Sequence, residues 1–250
     1  MNKLSDLTIG YSARVNSASN IQFIEGVENI VVIQNPSNEI VPKFDASVRV
    51  IEQKLSGVTK SRNAVLENTV TKYLLFGDDD VTFNRESIIE VINYFEANPQ
   101  ISMVLTQAVD ELGNLRKPYP TKSHALTLTN SAKAATYEMF IRVASAKENG
   151  IRFDESFGAG AKNYLGDEYI FIADGIRSGL KGTFLPIVVA THPSDSSGNF
   201  RNTRADLKVR AAVFTRVFGI WSPIMRFLFL IKPPVKKFGL RNSLLFILGK

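Results

Sequence analysis

Residues 72–80 read KYLLFGDDD, a nearly all-apolar run that ends in three aspartates. A short apolar run bounded by polar residues is typical of a strand that is buried on both faces. The carboxylates of Asp78, Asp79 and Asp80 would then stand at its carboxyl end, where open α/β sheets bind their ligands. This stretch therefore predicts both a central strand and the position of a ligand site.

On either side of this strand, short β-type runs alternate with helical patterns. Further strands are predicted at 7–11, 30–34, 47–53, 101–107 and 184–192, and helices at 58–69, from Asn84 to just before Pro99, and from Asp167 to Gly179. Such alternation predicts an α/β fold with a mostly parallel central sheet flanked by helices. The polar segment 110–129, with its glycine and prolines, is expected to be a loop or hairpin insertion.

The composition narrows the class of protein. A chain of 250 residues that is 44% hydrophobic can bury the core of one large domain and still carry a tail. It has no cysteine, which excludes disulfides, thiolate metal sites and cysteine nucleophiles. Asp6 interrupts the only apolar run near the start, so no secretory signal is expected and the protein is expected to begin at Met1 and to be cytoplasmic.

The three adjacent aspartates predict a metal site. In an extended backbone Asp78 and Asp80 face one way and Asp79 the other, so two carboxylates converge. Like charges this close disfavour each other's ionised form unless a cation lies between them. Mg²⁺ or Mn²⁺, completed by phosphate oxygens, suits this arrangement. The alternative is a solvated, aspartate-rich turn after a strand.

Two further segments carry candidate residues. Lys60, Arg62 and Asn63 lie in the first two turns of the helix before the central strand, where a helix N-terminus and two cations make a phosphate cradle. Asp167 and Glu168 open a later helix, and an ionised carboxylate there can take a proton from an attacking hydroxyl. For the first segment the alternative is an ordinary helix that happens to have a basic first turn. For the second, it is that the two acidic residues only stabilise the start of the helix.

Taken together, four stretches resemble family 2 glycosyltransferases of the GT-A fold. They are SGVTKSRNAVLE (56–67), YLLFGDDDVTF (73–83), the segment 138–186 that contains FDESFGAG and GDEYIF, and VVATHP (188–193). In that family an Arg-Asn helix start precedes an Asp-x-Asp strand. An FDE.FG.G stretch then leads to an acidic pair, and a histidine follows the next strand.

The resemblance implies a sugar transfer from a nucleotide diphosphate sugar, expected to be a UDP-sugar, to a hydroxyl on a glycan or lipid-linked glycan, with inversion. It implies that Asp78, Asp80 and His192 hold Mn²⁺ or Mg²⁺ and that Glu168 or Asp167 is the base. The donor is expected to contact Arg14, Lys60, Arg62, Asn63, Asp78 and Asp79. Where the family has an Asp that reads the nucleobase, this chain has Gln34 and Asn35, and one of these two residues is expected to contact the base.

The positive charge lies in the C-terminal part of the chain. From residue 201 onward there are 11 Lys and Arg and one acidic residue, Asp206, separated by apolar and aromatic residues. This composition favours an anionic membrane over nucleic acid as the partner. A catalytic domain is expected at 1–205, with a nucleotide-sugar half at 1–108 and an acceptor half at 109–205, followed by a basic amphipathic helical region at 206–250.

In that tail, Leu207, Ala211, Phe214 and Phe218 share one helical face. The next apolar run, 221–231, is by itself shorter than the roughly 20 residues that span a bilayer, so peripheral contact with the cytoplasmic face of the inner membrane is expected. The alternatives are that the tail packs on the catalytic domain or forms an oligomer interface.

Two other functions compete with glycosyl transfer. A strand followed by DDDVT also matches the start of haloacid dehalogenase-like Mg²⁺-dependent phosphatases, with Asp78 as nucleophile and Thr106, Lys162 and Asp167 in supporting roles. That motif normally lies on the first strand, whereas some 70 residues of α/β pattern precede it here. The other is a noncatalytic, membrane-associated module.

Overall fold

In a computed structural model, residues 3–194, 203–231 and 239–249 are described, and they contain one nine-stranded sheet. The basic residues Arg201, Lys232, Lys236, Lys237 and Lys250 of the tail lie outside the described residues. The strands are β1 (Leu7–Arg14), β2 (Glu28–Gln34), β3 (Val48–Gln53), β4 (Tyr73–Asp78), β5 (Thr82–Phe83), β6 (Ile101–Val109), β7 (His124–Ala125), β8 (Met139–Arg142) and β9 (Lys181–Thr191).

The strands lie in the order β3-β2-β1-β4-β8-β6-β9-β5, and β7 pairs with β9. The first four strands are parallel to one another, as are β6 and β9. Strand β8 is antiparallel to both β4 and β6, and it joins the two parallel groups. The predicted α/β fold with a central sheet is confirmed, while β8 and the short edge strands β5 and β7 were not predicted.

The helices are α1 (Val58–Asn68), α2 (Arg85–Ala97), α3 (Val143–Glu148), α4 (Asp167–Arg177), α5 (Arg204–Phe218), α6 (Ser222–Ile231) and α7 (Gly239–Leu248). Helix α2 covers one face of the sheet with Ile88, Val91, Ile92 and Phe95. Helices α1, α3 and α4 cover the other face. Because both faces are buried, the strands read as continuous apolar runs in the sequence.

Local sequence explains where α1 and α2 lie. The Asn84 side chain accepts a hydrogen bond of 2.9 Å from the Ser87 amide and so caps α2, as the sequence predicts. Helix α1 approaches β1 closely because Gly10 has no side chain: a Cβ there would stand 2.0 Å from Cγ1 of Val65. This close approach holds the N-terminus of α1 near the carboxyl ends of β1 and β4.

Helix α5 is part of the folded domain. Val213 and Val217 are buried against Ile170 and Ala173 of α4. The Arg216 guanidinium makes two hydrogen bonds of 3.0 and 2.7 Å to Asp174 on α4. Leu207, Ala211 and Phe214 pack instead on Phe246 of α7. Three of the four residues expected on one apolar face therefore pack together, whereas Phe218 packs with Val213 and Val217 on the face that contacts the catalytic fold.

Helix α6 folds back on α5. The chain bends at Gly219, whose φ is 53°, and the Arg226 guanidinium reaches the carbonyl oxygen of Ala211 at 2.9 Å. Those two residues would be about 22 Å apart along a straight helix. By length and composition the 28-residue run Arg204–Ile231 is sufficient to cross a membrane, but within the described structure it forms a helical hairpin.

Candidate active site

The acidic residues lie where parallel strands end, beside the N-termini of α1 and α4. Strand β4 ends at Asp78, and the next two residues form a turn. The alternation expected through Asp80 therefore does not apply, and the three carboxylates meet three different partners. Asp78 faces Arg62 at 3.2 Å, Asp79 accepts a hydrogen bond from Ser17, and Asp80 lies 3.5 Å from Nε2 of His192.

Arg62 connects the two acidic groups of the site. It is buried, and its Nη1 donates to Asp167 Oδ2 at 2.5 Å while its Nη2 donates to Asp78 Oδ1 at 3.2 Å. Nη1 also lies 3.7 Å from Glu168 Oε1. Burial alone would lower the pKa of Arg62, but the three carboxylates outweigh it and raise that pKa. Arg62 thus holds β4 and α4 together and differs from the exposed phosphate ligand that the sequence suggests.

The glycine-containing loop 157–160 closes over this contact. The Thr59 hydroxyl donates to the Phe157 carbonyl, and the Val58 amide donates to the Ala159 carbonyl. Gly158 has φ +91°, and a Cβ there would stand 2.9 Å from Cγ of Asp167. Only glycine fits this close approach, so the FGAG sequence shields Asp167 from solvent.

Asn63 has a structural role in this arrangement. Its amide nitrogen donates to the Phe153 carbonyl at 3.0 Å, and its amide oxygen accepts from the Phe153 backbone at 2.8 Å. The same nitrogen donates to Glu155 at 3.1 Å. The amide is therefore fully engaged, and the structure does not support the predicted contact of Asn63 with a phosphate.

Glu168 is the more accessible member of the acidic pair. Its side chain is 22% exposed, against 4% for Asp167. The Thr136 hydroxyl donates to Glu168 Oε1 at 3.0 Å. Burial and the neighbouring Asp167 carboxylate raise the pKa of Glu168 to about 7, and the cation of Arg62 opposes that rise. A carboxylate with this pKa can accept a proton near neutral pH and release it again.

Asp80 and His192 face each other at one side of the site, where Asp80 is exposed to solvent. His192 is buried, stacks on the Tyr137 ring at 4.8 Å between centroids, and presents Nε2 to Asp80. Among the described residues, no group of three His, Asp or Glu side chains is placed to hold a metal. The carboxylate and imidazole are nevertheless ligands that suit Mn²⁺, which can take its remaining ligands from phosphate oxygens.

A cavity of about 390 Å³ opens at the carboxyl ends of β1 and β2. It is lined by Arg14, Val15, Asn16, Gln34, Pro36, Glu39 and Ser56. The hydrogen bond from Ser17 to Asp79 connects the loop after β1 with the acidic strand end. The cavity therefore lies beside the carboxylates, on the same edge of the sheet.

Of the residues expected to contact a donor, Arg14 and Gln34 line this cavity, although the Gln34 amide also holds the Gly57 backbone at 2.9 Å. Lys60 lies in the first turn of α1, and its ammonium group has no hydrogen bond or ion pair with the described residues. Asn35 is buried and uses its amide on the backbone of Glu39 and on Glu52. The prediction that Asn35 reads a base is therefore not supported by its position.

Three residues of the site have no recognisable signal in the sequence. Ser17, Thr136 and Tyr137 lie in segments without a periodic pattern, yet each contacts a predicted site residue through a hydrogen bond or a stacked ring.

The phosphatase alternative loses its supporting threonine. Thr106 is buried, and its hydroxyl donates to the Glu138 carbonyl at 3.0 Å.

A comparison with protein families matches residues 14–160 to "Glycosyl transferase family 2". The matched range is more than half of the chain, and it contains β2 to β8 with the strand end at Asp78. A search of curated protein sequences finds no match.

Solved structures with a similar fold include S. aureus TarS 1-349, with 13% identity and a TM-score of 0.59 over 85% of this chain. The same protein in complex with UDP-GlcNAc gives 15% identity and a TM-score of 0.58, and in complex with UDP 15% and 0.56. These alignments cover 65 to 66% of the TarS 1-349 chain, so this chain spans slightly less than two thirds of its length. At this identity the likeness concerns the fold, which is that of GT-A glycosyltransferases.

Proposed function

The chain belongs to glycosyl transferase family 2, and from this premise we propose that it moves a sugar from a nucleotide diphosphate sugar to an acceptor hydroxyl. The observation that carries the proposal is the pairing of two acidic groups across Arg62. One group ends β4 beside the cavity, and the other presents Glu168 at the start of α4. In such a site the strand-end carboxylates could hold a divalent ion that binds a diphosphate, and Glu168 could accept the proton of a hydroxyl.

The donor would occupy the edge of the sheet formed by β1, β2 and β4. Arg14 and Gln34 line the cavity that would take the nucleoside, and the Lys60 ammonium is available for a phosphate. TarS, which has a similar fold, is known in complex with UDP-GlcNAc and with UDP. We therefore propose a UDP-sugar as the donor of this chain as well.

We propose that Asp80 and His192, with Asp78 nearby, hold Mn²⁺ or Mg²⁺ together with the diphosphate. A divalent ion there would neutralise negative charge on the departing diphosphate. The Asp80 side chain is more exposed than that of Asp78, at 47% against 27%. Asp78 is already paired with Arg62, so Asp80 is the better placed ligand.

Glu168 is proposed as the base. It would take the proton of the acceptor hydroxyl as the hydroxyl oxygen attacks the anomeric carbon, while the bond from that carbon to the diphosphate breaks. Attack from the face opposite the diphosphate inverts the anomeric configuration. Asp167 is less suited to this role because it is covered by Gly158 and paired with Arg62.

Replacing Asp80 by Asn tests the metal and donor assignment. The change keeps the size of the side chain and removes its charge, so metal-dependent binding of a UDP-sugar is expected to weaken by about tenfold or more. Isothermal titration calorimetry with UDP-GlcNAc, with and without Mn²⁺, measures this effect. The matched control is Asp45→Asn, an exposed aspartate on the loop before β3. Equal metal-dependent binding by both variants would remove Asp80 from the site.

The tail suggests where an acceptor would be met. Helix α6 and the residues before it expose one apolar stripe, formed by Ile220, Trp221, Ile224, Phe227 and Ile231. Helix α7 exposes a second, formed by Leu240, Leu244 and Leu248. Their spacing of three and four residues puts each set on one helical face. The sequence from residue 201 is strongly basic. We propose that this surface rests on an anionic lipid bilayer, where a lipid-linked glycan acceptor would lie.

A double variant of the exposed stripe tests the membrane proposal without removing α5, which packs on the fold. Trp221→Ser with Phe227→Ser is expected to reduce binding to phosphatidylglycerol-containing vesicles by about tenfold or more, because two large apolar side chains no longer enter the bilayer. Salt should also weaken binding of the unchanged protein. Vesicle co-sedimentation measures both effects.

The control is Ile40→Ser with Leu112→Ser, which removes two side chains that are 95% and 81% exposed on other loops. Sedimentation velocity on the same proteins distinguishes a lipid surface from a second copy of the chain. Unchanged vesicle binding, or loss of a dimer in the tail variant without a change in vesicle binding, would contradict the membrane proposal.

A further inference from the structure

The short 3-10 helix Thr136–Glu138, called here the 136–138 helix, contacts the active site with its first two side chains. The Thr136 hydroxyl donates to Glu168 Oε1 at 3.0 Å. The Tyr137 ring stacks on His192, which faces Asp80. The Glu138 carboxylate contacts the 110–129 insertion instead, where it forms an ion pair with Lys117 and accepts a hydrogen bond from the Tyr119 hydroxyl. Thr136 and Tyr137 lie outside the four stretches that resemble the family.

From this geometry we infer that Thr136 is a positioning residue that fixes the orientation of the Glu168 carboxylate. The inference rests on the proposed function, because it assumes that Glu168 is the base. Thr136 is 1% exposed, and its hydroxyl makes its hydrogen bond to Glu168 from a fixed buried position. A base whose carboxylate is held in one orientation keeps its reactive oxygen directed toward the acceptor side.

The position of Thr136 is itself well determined. Glu138, only 2% exposed, forms an ion pair of 2.8 Å with Lys117 and accepts a hydrogen bond from the Tyr119 hydroxyl. The Ala135 amide also donates to Glu138 Oε2 at 3.1 Å. The insertion therefore holds the 136–138 helix in place, and through Thr136 it reaches the base.

The pKa of Glu168 depends on the groups around it, so the effect of the Thr136 hydroxyl on this pKa can be measured. Asp167 on α4 raises the pKa of Glu168, Arg62 on α1 lowers it, and the hydrogen bond from Thr136 lowers it as well. A donor hydrogen bond favours the ionised carboxylate. Removing the hydroxyl should therefore move the titration of Glu168 to higher pH, whereas a change that only loosens packing has no reason to move it in this direction.

The test is a titration of the carboxyl ¹³C resonance of Glu168 in the full chain, assigned by its loss in Glu168→Gln. The midpoint is expected near 7 in the unchanged protein and about one unit higher in Thr136→Val, which keeps the shape and removes the hydroxyl. Thr136→Ser should restore the original midpoint. Turnover of UDP-GlcNAc at pH 7 should fall about tenfold in Thr136→Val with KM for the donor nearly unchanged.

The matched control is Thr106→Val. It removes a buried hydroxyl that also contacts the 136–138 helix, through the Glu138 carbonyl, and leaves Glu168 untouched. An equal midpoint in Thr136→Val and in the unchanged protein, or an equal shift in Thr106→Val, would overturn the inference. Failure of the proposed function looks different: Glu168 would titrate as described while no nucleotide sugar binds or reacts.

Discussion

Glu168→Gln is expected to lower turnover by about 10²- to 10⁴-fold while donor binding stays nearly unchanged. The change keeps the size of the side chain and removes the group that accepts the proton. Since the base acts in its ionised form and the pKa of Glu168 is about 7, turnover of the unchanged protein should rise with pH, be half-maximal near that pKa and level off about one pH unit above it. Initial rates across pH, together with calorimetric donor binding, measure both effects.

Asp167→Asn is the paired comparison for this prediction. Asp167 is buried, contacts Arg62 at 2.5 Å and is covered by Gly158. Its replacement is expected to lower stability more than it lowers the chemical step. If Asp167→Asn abolished turnover of a folded protein and Glu168→Gln did not, the roles of the two carboxylates would have to be exchanged.

Arg62→Met is expected to lower the free energy of unfolding by about 3–5 kcal/mol, because it leaves a buried carboxylate without its cation. Asp167 has no other ion pair among the described residues, and Asp78 and Glu168 lose the same partner. Methionine fills a similar volume, so the effect reports the charge. Urea unfolding followed by circular dichroism measures it.

The control is Arg152→Met, which breaks the exposed ion pair between Arg152 and Glu67. Surface pairs contribute at most about 1 kcal/mol, so this variant should be nearly as stable as the unchanged protein. Equal destabilisation by the two changes would mean that Arg62 does not hold β4 and α4 together in the way that its contacts indicate.

Much of the fold could be predicted because burial on both faces leaves a clear pattern. Strands β4 and β6 are long apolar runs, and α2 has a capping asparagine and an apolar face. Strand β8 was missed because its four residues, MFIR, are too few to show a period. Its antiparallel pairing depends on β4 and β6, which are distant in sequence.

The sequence indicates which residues lie together at this edge of the sheet more completely than it indicates what each of them contacts. The aspartates that follow β4 are adjacent to one another in sequence, and so are the two acidic residues that begin α4, so both groups are easily recognised. A basic first turn looks the same whether its arginine meets solvent or carboxylates, which is why the role of Arg62 could not be read. The position of Asn35 depends on Glu39 and Glu52, and that of Thr136 on a helix about 30 residues later.

The tail illustrates a different limit of sequence reasoning. One apolar face was predicted for α5, but the helix buries a second face formed by Val213 and Val217. The valines are spaced for a helix, yet only their contact with α4 identifies them as part of the catalytic fold. This contact requires a glycine at position 166, because a Cβ of Gly166 would stand 2.5 Å from Cγ2 of Val213.

The central claim is that the sheet edge between Arg14 and Asp80 binds a nucleotide diphosphate sugar. Its most direct test is the melting temperature of the full chain against a panel of nucleotide diphosphate sugars, with and without Mn²⁺, because a ligand that binds only the folded state stabilises it. At least one UDP-sugar is expected to raise the melting temperature when Mn²⁺ is present, and Asp80→Asn is expected to remove this rise. If no nucleotide sugar raised it with either Mn²⁺ or Mg²⁺, the claim would be contradicted.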